Sequence, residues 1–412
     1  MTRPRLLAGT HEDRPLSLAE HLDLHGPSPP GGSHLIETVE RAGLRGRGGA
    51  SFPTAMKLRS VARRRGPRAI VVNGAEGEPM SAKDRVLMQS APHLVLDGAM
   101  AAAATVGARS VVIAIPGDAG ATLDALQRAI GERAANRRLK VADVPVAYLA
   151  GEESALIAHL DGGPLKPTVV PPFPSERGLR RRPTLVQNPE TLAHLALIAR
   201  HGPEWFREVG THAHPGSALL TVSGGVARPG VREIACGAPL ASVLDGALEP
   251  VRAVLVGGCH GVWIAAEEIG AVTLDDIGLA PHRGRLGAGV VVALGRSACP
   301  AQELARTIGY LAGQSAGQCG PCRNGLPALA DLLAAMVAGS APHDARRRLE
   351  RWSADLPGRG ACHLPDGAVR LLGSGLRVFA AELADHERDG PCLACRRSPV
   401  LPFTRAQWSR AA

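Results

Sequence analysis

Along the first half of the chain the apolar positions come in two alternating styles. Residues 69–73 (A-I-V-V-N), 110–115 (S-V-V-I-A-I) and 144–150 (V-P-V-A-Y-L-A) are short, nearly continuous apolar runs, the pattern of strands covered on both faces. Between and beside them, residues 92–104 and 119–133 read as helices. Strand and helix in alternation predict an α/β fold on a largely parallel sheet. Ligands of such sheets bind beyond the carboxyl ends of the strands. Two acidic, glycine-containing turns fall there, N-G-A-E-G-E-P from Asn73 and G-E-E-S-A-L from Gly151.

The pattern then changes. The run P-L-K-P-T-V-V-P-P-F-P (164–174) holds too many prolines for a helix and is expected to be extended. P-T-L-V-Q-N-P-E-T follows from Pro183 and leads into a helical run to about Arg200. Beyond the A-H-P-G turn near Pro215 come a strand (A-L-L-T-V-S), Gly-Gly and Pro-Gly turns, a strand (V-R-E-I), a helix (P-L-A-S-V-L-D-G-A) and a strand (V-R-A-V-L-V), a small ββαβ module. From about Pro300 the pattern is helical and carries cysteines, with an irregular tail after Gly390. No internal repeat is visible.

The stretch G-R-G-G-A-S-F-P-T-A-M-K (46–57) is the most informative in the chain. Its glycines let backbone approach an anionic group closely, and Pro53 suits the first position of a helix. Free N–H groups at a helix start and the helix dipole both favour negative charge, so the loop reads either as a phosphate cradle or as a plain tight turn. It is neither G-x-G-x-x-G nor a P-loop, which leaves a standard Rossmann or NTPase reading unsupported.

Composition narrows the possibilities. The 412 residues suffice for two or three domains. A formal charge of +9 rests almost wholly on arginine, since Lys57, Lys83, Lys140 and Lys166 are the only lysines. That balance fits a GC-rich coding sequence, or a basic face for an acidic partner such as a ferredoxin. With aromatic residues at 3% and no recognition module, nucleic acid is not an expected partner. No apolar run approaches the ~18 residues of a membrane span, and the N-terminus lacks a secretory h-region, so no membrane insertion and a cytoplasmic location are expected. The cysteines concentrate late in the chain, chiefly in C-x-x-C pairs, a pattern of metal or cluster ligation rather than of a disulfide scaffold. Cys236, Cys259 and Cys299 are isolated and are expected as small buried hydrophobes.

Taken in order, the motifs resemble those of the flavoprotein family of F subunits of NADH-quinone oxidoreductase (complex I), which has soluble relatives in NAD-linked hydrogenases and formate dehydrogenases. The resemblance runs from about Gly43 to His386. It rests on G-R-G-G, N-x-x-E-x-E-P with K-D-R after it, P-H-L, Y-x-x-G-E-E, P-P-F-P, P-T-x-x-x-N-x-E-T and G-x-C-x-P-C-R. It implies a Rossmann-like FMN/NADH domain at 35–212, a β-grasp (SLBB) domain at 213–290 and a helical iron–sulfur domain at 291–390. A segment at 1–34 precedes them, and a tail with C-x-x-C at 391–412 follows.

By the same resemblance, FMN contacts fall on Gly46, Arg47, Gly48, Lys57, Asn73, Glu76, Tyr148, Gly151, Glu152, Glu153, Val186, Gln187 and Asn188. Contacts to NAD(H) fall on Phe52, Glu78, Glu153 and Phe173. Hydride transfer needs no protein nucleophile, only a nicotinamide held against the flavin with water excluded, so no catalytic residue is assigned. Aromatic faces at Phe52 and Phe173 suit an adenine; the alternative is that both are core or turn residues. Lys57 suits the negative charge of reduced flavin, or is simply solvated.

Departures from the family pattern matter as much. Its cluster segment reads E-S-C-G-x-C-x-P-C, whereas here Gln314 to Cys322 reads Q-S-A-G-Q-C-G-P-C, with Ala316 in the first ligand position. Cys319, Cys322 and Cys362 match the other three ligands. A cluster normally takes four thiolates, which leaves a 3Fe–4S cluster, a 4Fe–4S cluster with a substitute ligand, or none. Cys392 and Cys395 in the tail are the favoured substitutes, with His363 and Ser315 as others. A structural zinc on Cys319, Cys322, Cys392 and Cys395 stands beside these. An aspartate common in the family is Ala75 here, an asparagine is Gln187, and the lysine before P-P-F-P is Val170.

The expected function is therefore an FMN-dependent NAD(P)H dehydrogenase module, a flavoprotein oxidoreductase passing electrons through an iron–sulfur cluster. The expected recipient is a ferredoxin, a thioredoxin-fold iron–sulfur subunit or a larger redox complex. The competing expectation is a non-catalytic electron-relay or assembly subunit that has lost nucleotide binding.

Overall fold

A computed structural model describes residues 4–11, 13–133, 138–244 and 246–403. The chain divides into two compact units. One comprises Met1–Gly77, Ser81–Leu220 and Val231–Ala238; the other comprises Glu78–Met80, Thr221–Gly230 and Pro239–Ala412.

The first unit is built on four parallel strands, β1 (Arg68–Asn73), β2 (Ala108–Pro116), β3 (Leu139–Val144) and β4 (Thr184–Gln187), in the order β3-β2-β1-β4. Strand side chains alternate between faces. Ile70, Val72, Val111, Ile113 and Leu185 join one apolar cluster, and Ala69, Val71, Ala114 and Val186 join another. Both faces are therefore covered, which explains why these strands read as unbroken apolar runs.

Nine helices are described in this unit: α1 (Leu18–His25), α2 (His34–Ala42), α3 (Thr54–Ala62), α4 (Lys83–Ser90), α5 (Pro92–Val106), α6 (Gly120–Gly131), α7 (Glu153–Leu160), α8 (Pro174–Arg177) and α9 (Pro189–Arg207). Two of them, α5 and α9, cross at backbone contact. A Cβ placed on Gly98 would lie 1.8 Å from the carbonyl oxygen of Leu192.

Prediction and structure part at residues 144–150. The third strand lies earlier, at Leu139–Val144, and Tyr148–Gly151 is a 3-10 turn. Pro145 has no N–H to give a ladder, and Val146 is exposed, so apolar content there did not mean a strand.

A second sheet takes the order β6-β5-β9-β7-β8, from β5 (Ser217–Gly224), β6 (Gly230–Ala235), β7 (Val251–Val256), β8 (Val262–Ala265) and β9 (Val290–Gly295). Between β6 and β7 the predicted helix shrinks to α10 (Leu240–Val243), and α11 (Asp276–Leu279) precedes β9. Helices α12 (Pro300–Gly313), α13 (Leu326–Val337), α14 (Ala345–Asp355), α15 (Leu364–Val378) and α16 (Ala380–Asp389) follow. Among the described residues no helix is long and apolar enough to cross a membrane.

Asp97, buried in α5, holds the N-terminal segment to the rest of the first unit. Its carboxylate accepts from Ser28 Oγ (2.8 Å), Arg133 (2.7 Å) and Arg200, and lies 2.8 Å from His21 Nε2. Burial works to raise its pKa, but the bonds to His21, Arg133 and Arg200 outweigh this and hold the carboxyl well below the ordinary carboxylate range. A carboxyl lowered in the folded state adds stability that is present above about pH 4 and lost on further acidification. Asp97→Asn is expected to cost about 3–5 kcal/mol at neutral pH, by leaving Arg133 and Arg200 unpaired. Urea unfolding between pH 7 and 3 should show a flatter acid limb for this variant than for the parent chain.

Candidate functional site

Strands β1, β2 and β3 step outward in one direction, and β4 returns to the other side of β1. The crevice where strand order reverses, between the carboxyl ends of β1 and β4, is the physical place for a ligand in such a sheet. Asn73 ends β1 and Gln187 ends β4.

The glycine turn 46–49 lies at that crevice. Arg47 N donates to Thr191 Oγ1 (2.8 Å), and a Cβ on Gly48 would come within 3.3 Å of Asn188. Gly46 N donates to Phe52 O (2.8 Å), closing the turn, and Ser51 takes a positive φ of 53°. Among the described residues, the N–H groups of Gly48, Gly49 and Ala50 have no protein acceptor. Pro53 caps α3, and Thr54 in its first turn is fully buried with an unpartnered hydroxyl.

The two acidic turns join the same place. Asn73 Nδ2 donates to Gly151 O (2.8 Å), and a Cβ on Gly77 would lie 2.4 Å from Tyr148 O. Lys57 reaches across from α3 to pair with Glu153 at the start of α7, and it donates to Val186 O (3.3 Å).

Several acidic side chains expected to face a ligand are spent elsewhere. Glu76 accepts from Ser81 Oγ (2.6 Å), Asp84 N (3.0 Å) and Arg85 N (3.0 Å), which fixes the start of α4. Glu152 caps α7 through Ala155 N (2.7 Å) and Ser154 Oγ (2.7 Å). Glu78, assigned above to NAD(H), is buried in the second unit. Its carboxylate accepts from Cys259 N (2.7 Å) and Cys259 Sγ (3.3 Å), so it holds a turn of its own chain. Arg47 likewise turns its guanidinium inward, to Ser217 O (3.0 Å) and Cys236 Sγ (3.3 Å).

Below the turn lies a charge network that sequence reasoning left without a role. Lys83 Nζ, in a residue 2% exposed, sits 2.8 Å from both Asp84 Oδ1 and Glu190 Oε2. Asn188 donates to Asp84 Oδ2 (2.6 Å) and, through Oδ1, caps α9 at Glu190 N (3.0 Å). Leu219 N donates to Glu190 Oε1 (2.9 Å), and Arg47 Nε stands 4.0 Å from the same oxygen. Burial pulls the Lys83 pKa down, but Asp84, Glu190 and Glu76 more than reverse this and leave it above the ordinary lysine value. The available signal was the pairing of K-D-R with N-x-E-T in a chain poor in lysine.

The aromatic expectation divides cleanly. Phe52 and Phe173 are 44% and 53% exposed, so neither is a core residue. Phe173 ends the proline run at the start of α8. Beside it a cleft of about 250 Å³ is lined by Ser154, Thr168, Val169, Pro172, Arg177 and Arg181. The two arginines supply cationic groups in the region where Val170 replaces the family's lysine.

The cysteines form two groups. Cys322 and Cys319 interact at the turn leading into α13, with Cys362 close by. Burial works to raise the Cys319 thiol, but N–H groups of Ala361 and Cys322 outweigh it and leave the pKa below its ordinary value. Cys392 and Cys395 gather instead with Cys299 and His386, the ligand atoms of all four lying within 4.8 Å of one another. His386 Nδ1 lies 2.8 Å from Val337 O at the far end of α13. At 1.5 Å per residue α13 alone spans about 16 Å from Leu326 to Val337, and Cys322 lies before its start. The tail thiols therefore do not complete the set of Cys319, Cys322 and Cys362, and zinc shared between the two C-x-x-C pairs is excluded. Cys299 is correspondingly a member of a polar group rather than an inert apolar residue.

Residues 39–197 match the model of the Nuo51 FMN-binding domain, and residues 302–386 match the NADH-ubiquinone oxidoreductase-F iron–sulfur binding region. The chain is 33% identical to the F 2 subunit of NADH-quinone oxidoreductase from Rhizobium meliloti (strain 1021), covering 87% of this chain and 90% of that one. The chain belongs to the family of NADH-quinone oxidoreductase F subunits. NADH dehydrogenase (ubiquinone) flavoprotein 1, mitochondrial, of Dictyostelium discoideum is 32% identical over 85% of this chain and 78% of its own. Among solved structures, an NAD+-reducing nickel–iron hydrogenase in the H2-reduced state superposes with a TM-score of 0.79 at 33% identity, over 85% of this chain. The present chain spans 62% of that hydrogenase chain.

As a member of that family, the chain is an FMN-dependent NADH dehydrogenase module with an iron–sulfur region. Its residues fit the flavin. Gln187 Nε2 and Thr54 Oγ1 are buried without partners, and the row of unbonded N–H groups at Gly48–Ala50 suits a phosphate. For the cluster, Cys319, Cys322 and Cys362 supply three thiols, and Ala316 supplies none. Nearby, Ser315 Oγ donates to Cys322 O (3.4 Å), and His363 is exposed and paired with Asp366.

Lys83→Met is expected to lower stability by about 3–5 kcal/mol in urea unfolding, because Asp84 and Glu190 are left buried and unpaired. Flavin binding, followed by fluorescence quenching, should fall with it, since the glycine turn rests on the same network.

Proposed function

We propose that this chain oxidises NADH at a flavin seated in the β1–β4 crevice and delivers the electrons through its cysteine-bound cluster to a partner within a larger redox complex. The observation that carries this reading is the convergence of the 46–49 turn, Asn73, the Tyr148–Gly151 turn and the Lys57–Glu153 pair at the reversal of strand order. When bound, FMN supplies the chemistry, taking a hydride from NADH and releasing electrons singly.

The chain's own residues then have distinct tasks. Gly48, Gly49 and Ala50 present N–H groups to the flavin phosphate, aided by the start of α3. Gln187 offers an unpartnered side-chain amide at the end of β4, and Asn73 at the end of β1 holds the Gly151 turn beside it. Lys57 brings positive charge to the crevice and keeps Glu153 in place. Phe52 and Phe173, both exposed, provide faces on which an adenine or nicotinamide can stack. Arg177 and Arg181 bring cationic groups to the neighbouring cleft, whose lining also holds Asp161, and suit the dinucleotide phosphates. The arginine-rich surface suits a ferredoxin or a thioredoxin-fold iron–sulfur subunit as recipient.

The direct test is anaerobic addition of NADH, and separately NADPH, to protein loaded with FMN. Bleaching of the flavin absorbance by NADH is expected; an FMN-loaded protein that stays yellow would overturn the assignment and favour a relay subunit. Lys57→Ala is expected to weaken FMN binding about tenfold, the loss of one charge-assisted interaction, as read by flavin titration.

A further inference from the structure

We propose that Cys299, His386, Cys392 and Cys395 bind a single zinc ion that clips the chain's C-terminal tail to its helical region. Three of these residues lie outside the stretch matched by the iron–sulfur model.

The separations are those of one tetrahedral ion. With Zn–S near 2.3 Å and Zn–N near 2.0–2.1 Å, a tetrahedron has edges of about 3.8 Å between sulfurs and about 3.5 Å between sulfur and nitrogen. Cys392 Sγ and Cys395 Sγ are 3.7 Å apart, Cys299 Sγ is 3.3 Å from His386 Nε2, and Cys395 Sγ is 3.9 Å from the same nitrogen. An iron–sulfur cluster is larger than one ion and needs its thiolates further apart. A Cys3His set of this kind is the closed, four-ligand arrangement of structural zinc.

The surroundings prepare the ligands. Val337 O, 2.8 Å from His386 Nδ1, accepts a hydrogen bond from Nδ1–H, the tautomer in which Nε2 carries its lone pair toward the sulfurs. Gln302 N donates to Cys299 Sγ (3.4 Å) at the start of α12. The turn Leu393–Arg396, closed by Cys395 N to Cys392 O (3.0 Å), brings the two tail sulfurs to one side.

The chain beyond this clip is packed down as well. Val400 N and Leu401 N donate to the buried carboxylate of Glu303 (3.0 and 3.2 Å), and Phe403 stacks on Tyr310 with ring centres 4.5 Å apart. One ion joins the starts of α12 and the tail to the end of α16, and so holds residues 396–403 along α12.

The experiment is metal analysis of the full chain expressed in zinc-replete medium, with X-ray absorption at the zinc edge. About one zinc per chain is expected, bound by three sulfurs and one nitrogen. In a Cys392→Ser/Cys395→Ser double variant zinc should fall at least tenfold, with iron content and NADH-driven flavin bleaching unchanged. Trypsin should cleave after Arg396 and Arg397 several-fold faster in that variant and in chelator-treated parent. Should the variant fold poorly, cobalt(II) added to chelated parent protein should give the visible bands of a tetrahedral thiolate site. A parent chain free of zinc and without cobalt bands, zinc unchanged in the variant, iron lost in place of zinc, or a Cys392–Cys395 disulfide in mass spectra would each overturn the proposal. The zinc, cobalt and trypsin readouts do not depend on the flavin.

Discussion

The ammonium group of Lys83, buried and flanked by Asp84 and Glu190, ties together the stretches that frame the β1–β4 crevice. Taking three charges out of water is costly, and they hold together only if each finds its partners at hydrogen-bond distance. Here those partners belong to separate stretches: Asp84 to α4, Glu190 and Asn188 to the start of α9, and Arg47 to the glycine turn. Satisfying the network locks all three against the β1–β4 crevice. The main chain of 46–50 is thereby fixed while the N–H groups of Gly48, Gly49 and Ala50 stay open.

This division explains how the site treats its acids. A pocket for a flavin phosphate does not tolerate many free carboxylates, and here most are neutralised within the protein. Glu76 and Glu152 cap helices, Glu78 holds the Cys259 turn, and Glu153 is matched by Lys57. The surface proposed for the flavin phosphate is thus largely backbone, positioned by side chains that face inward.

The two cysteine groups show how size sorts metal chemistry. Both lie on the same helical region and both contain a C-x-x-C pair, yet α13 stands between them. Cys319 and Cys322 lie before its start and Cys362 comes close to them, all within the region that matches the iron–sulfur model. At its other end, thiols and an imidazole crowd within 4.8 Å, room for one ion.

Much of this was legible in the sequence. The apolar runs of β1 and β2, the helices between strands, the helix start after Pro53 and the ordered motifs are local features, set by side-chain period and by the backbone limits of glycine and proline. Fold class and family came from them, and so did the proposed neighbourhood of the flavin. The run 144–150 misled because apolar content was weighed above Pro145. What else the sequence did not show has one cause: a sequence states which groups are present but not which neighbour each will find. Whether Glu78 meets a ribose or Cys259, and whether Cys392 and Cys395 join Cys319 or Cys299 and His386, depends on residues tens to nearly two hundred positions away. Composition and local propensity therefore determined the elements and the chemistry on offer. Only tertiary packing, by satisfying each buried polar group once, decided which groups were left for a ligand.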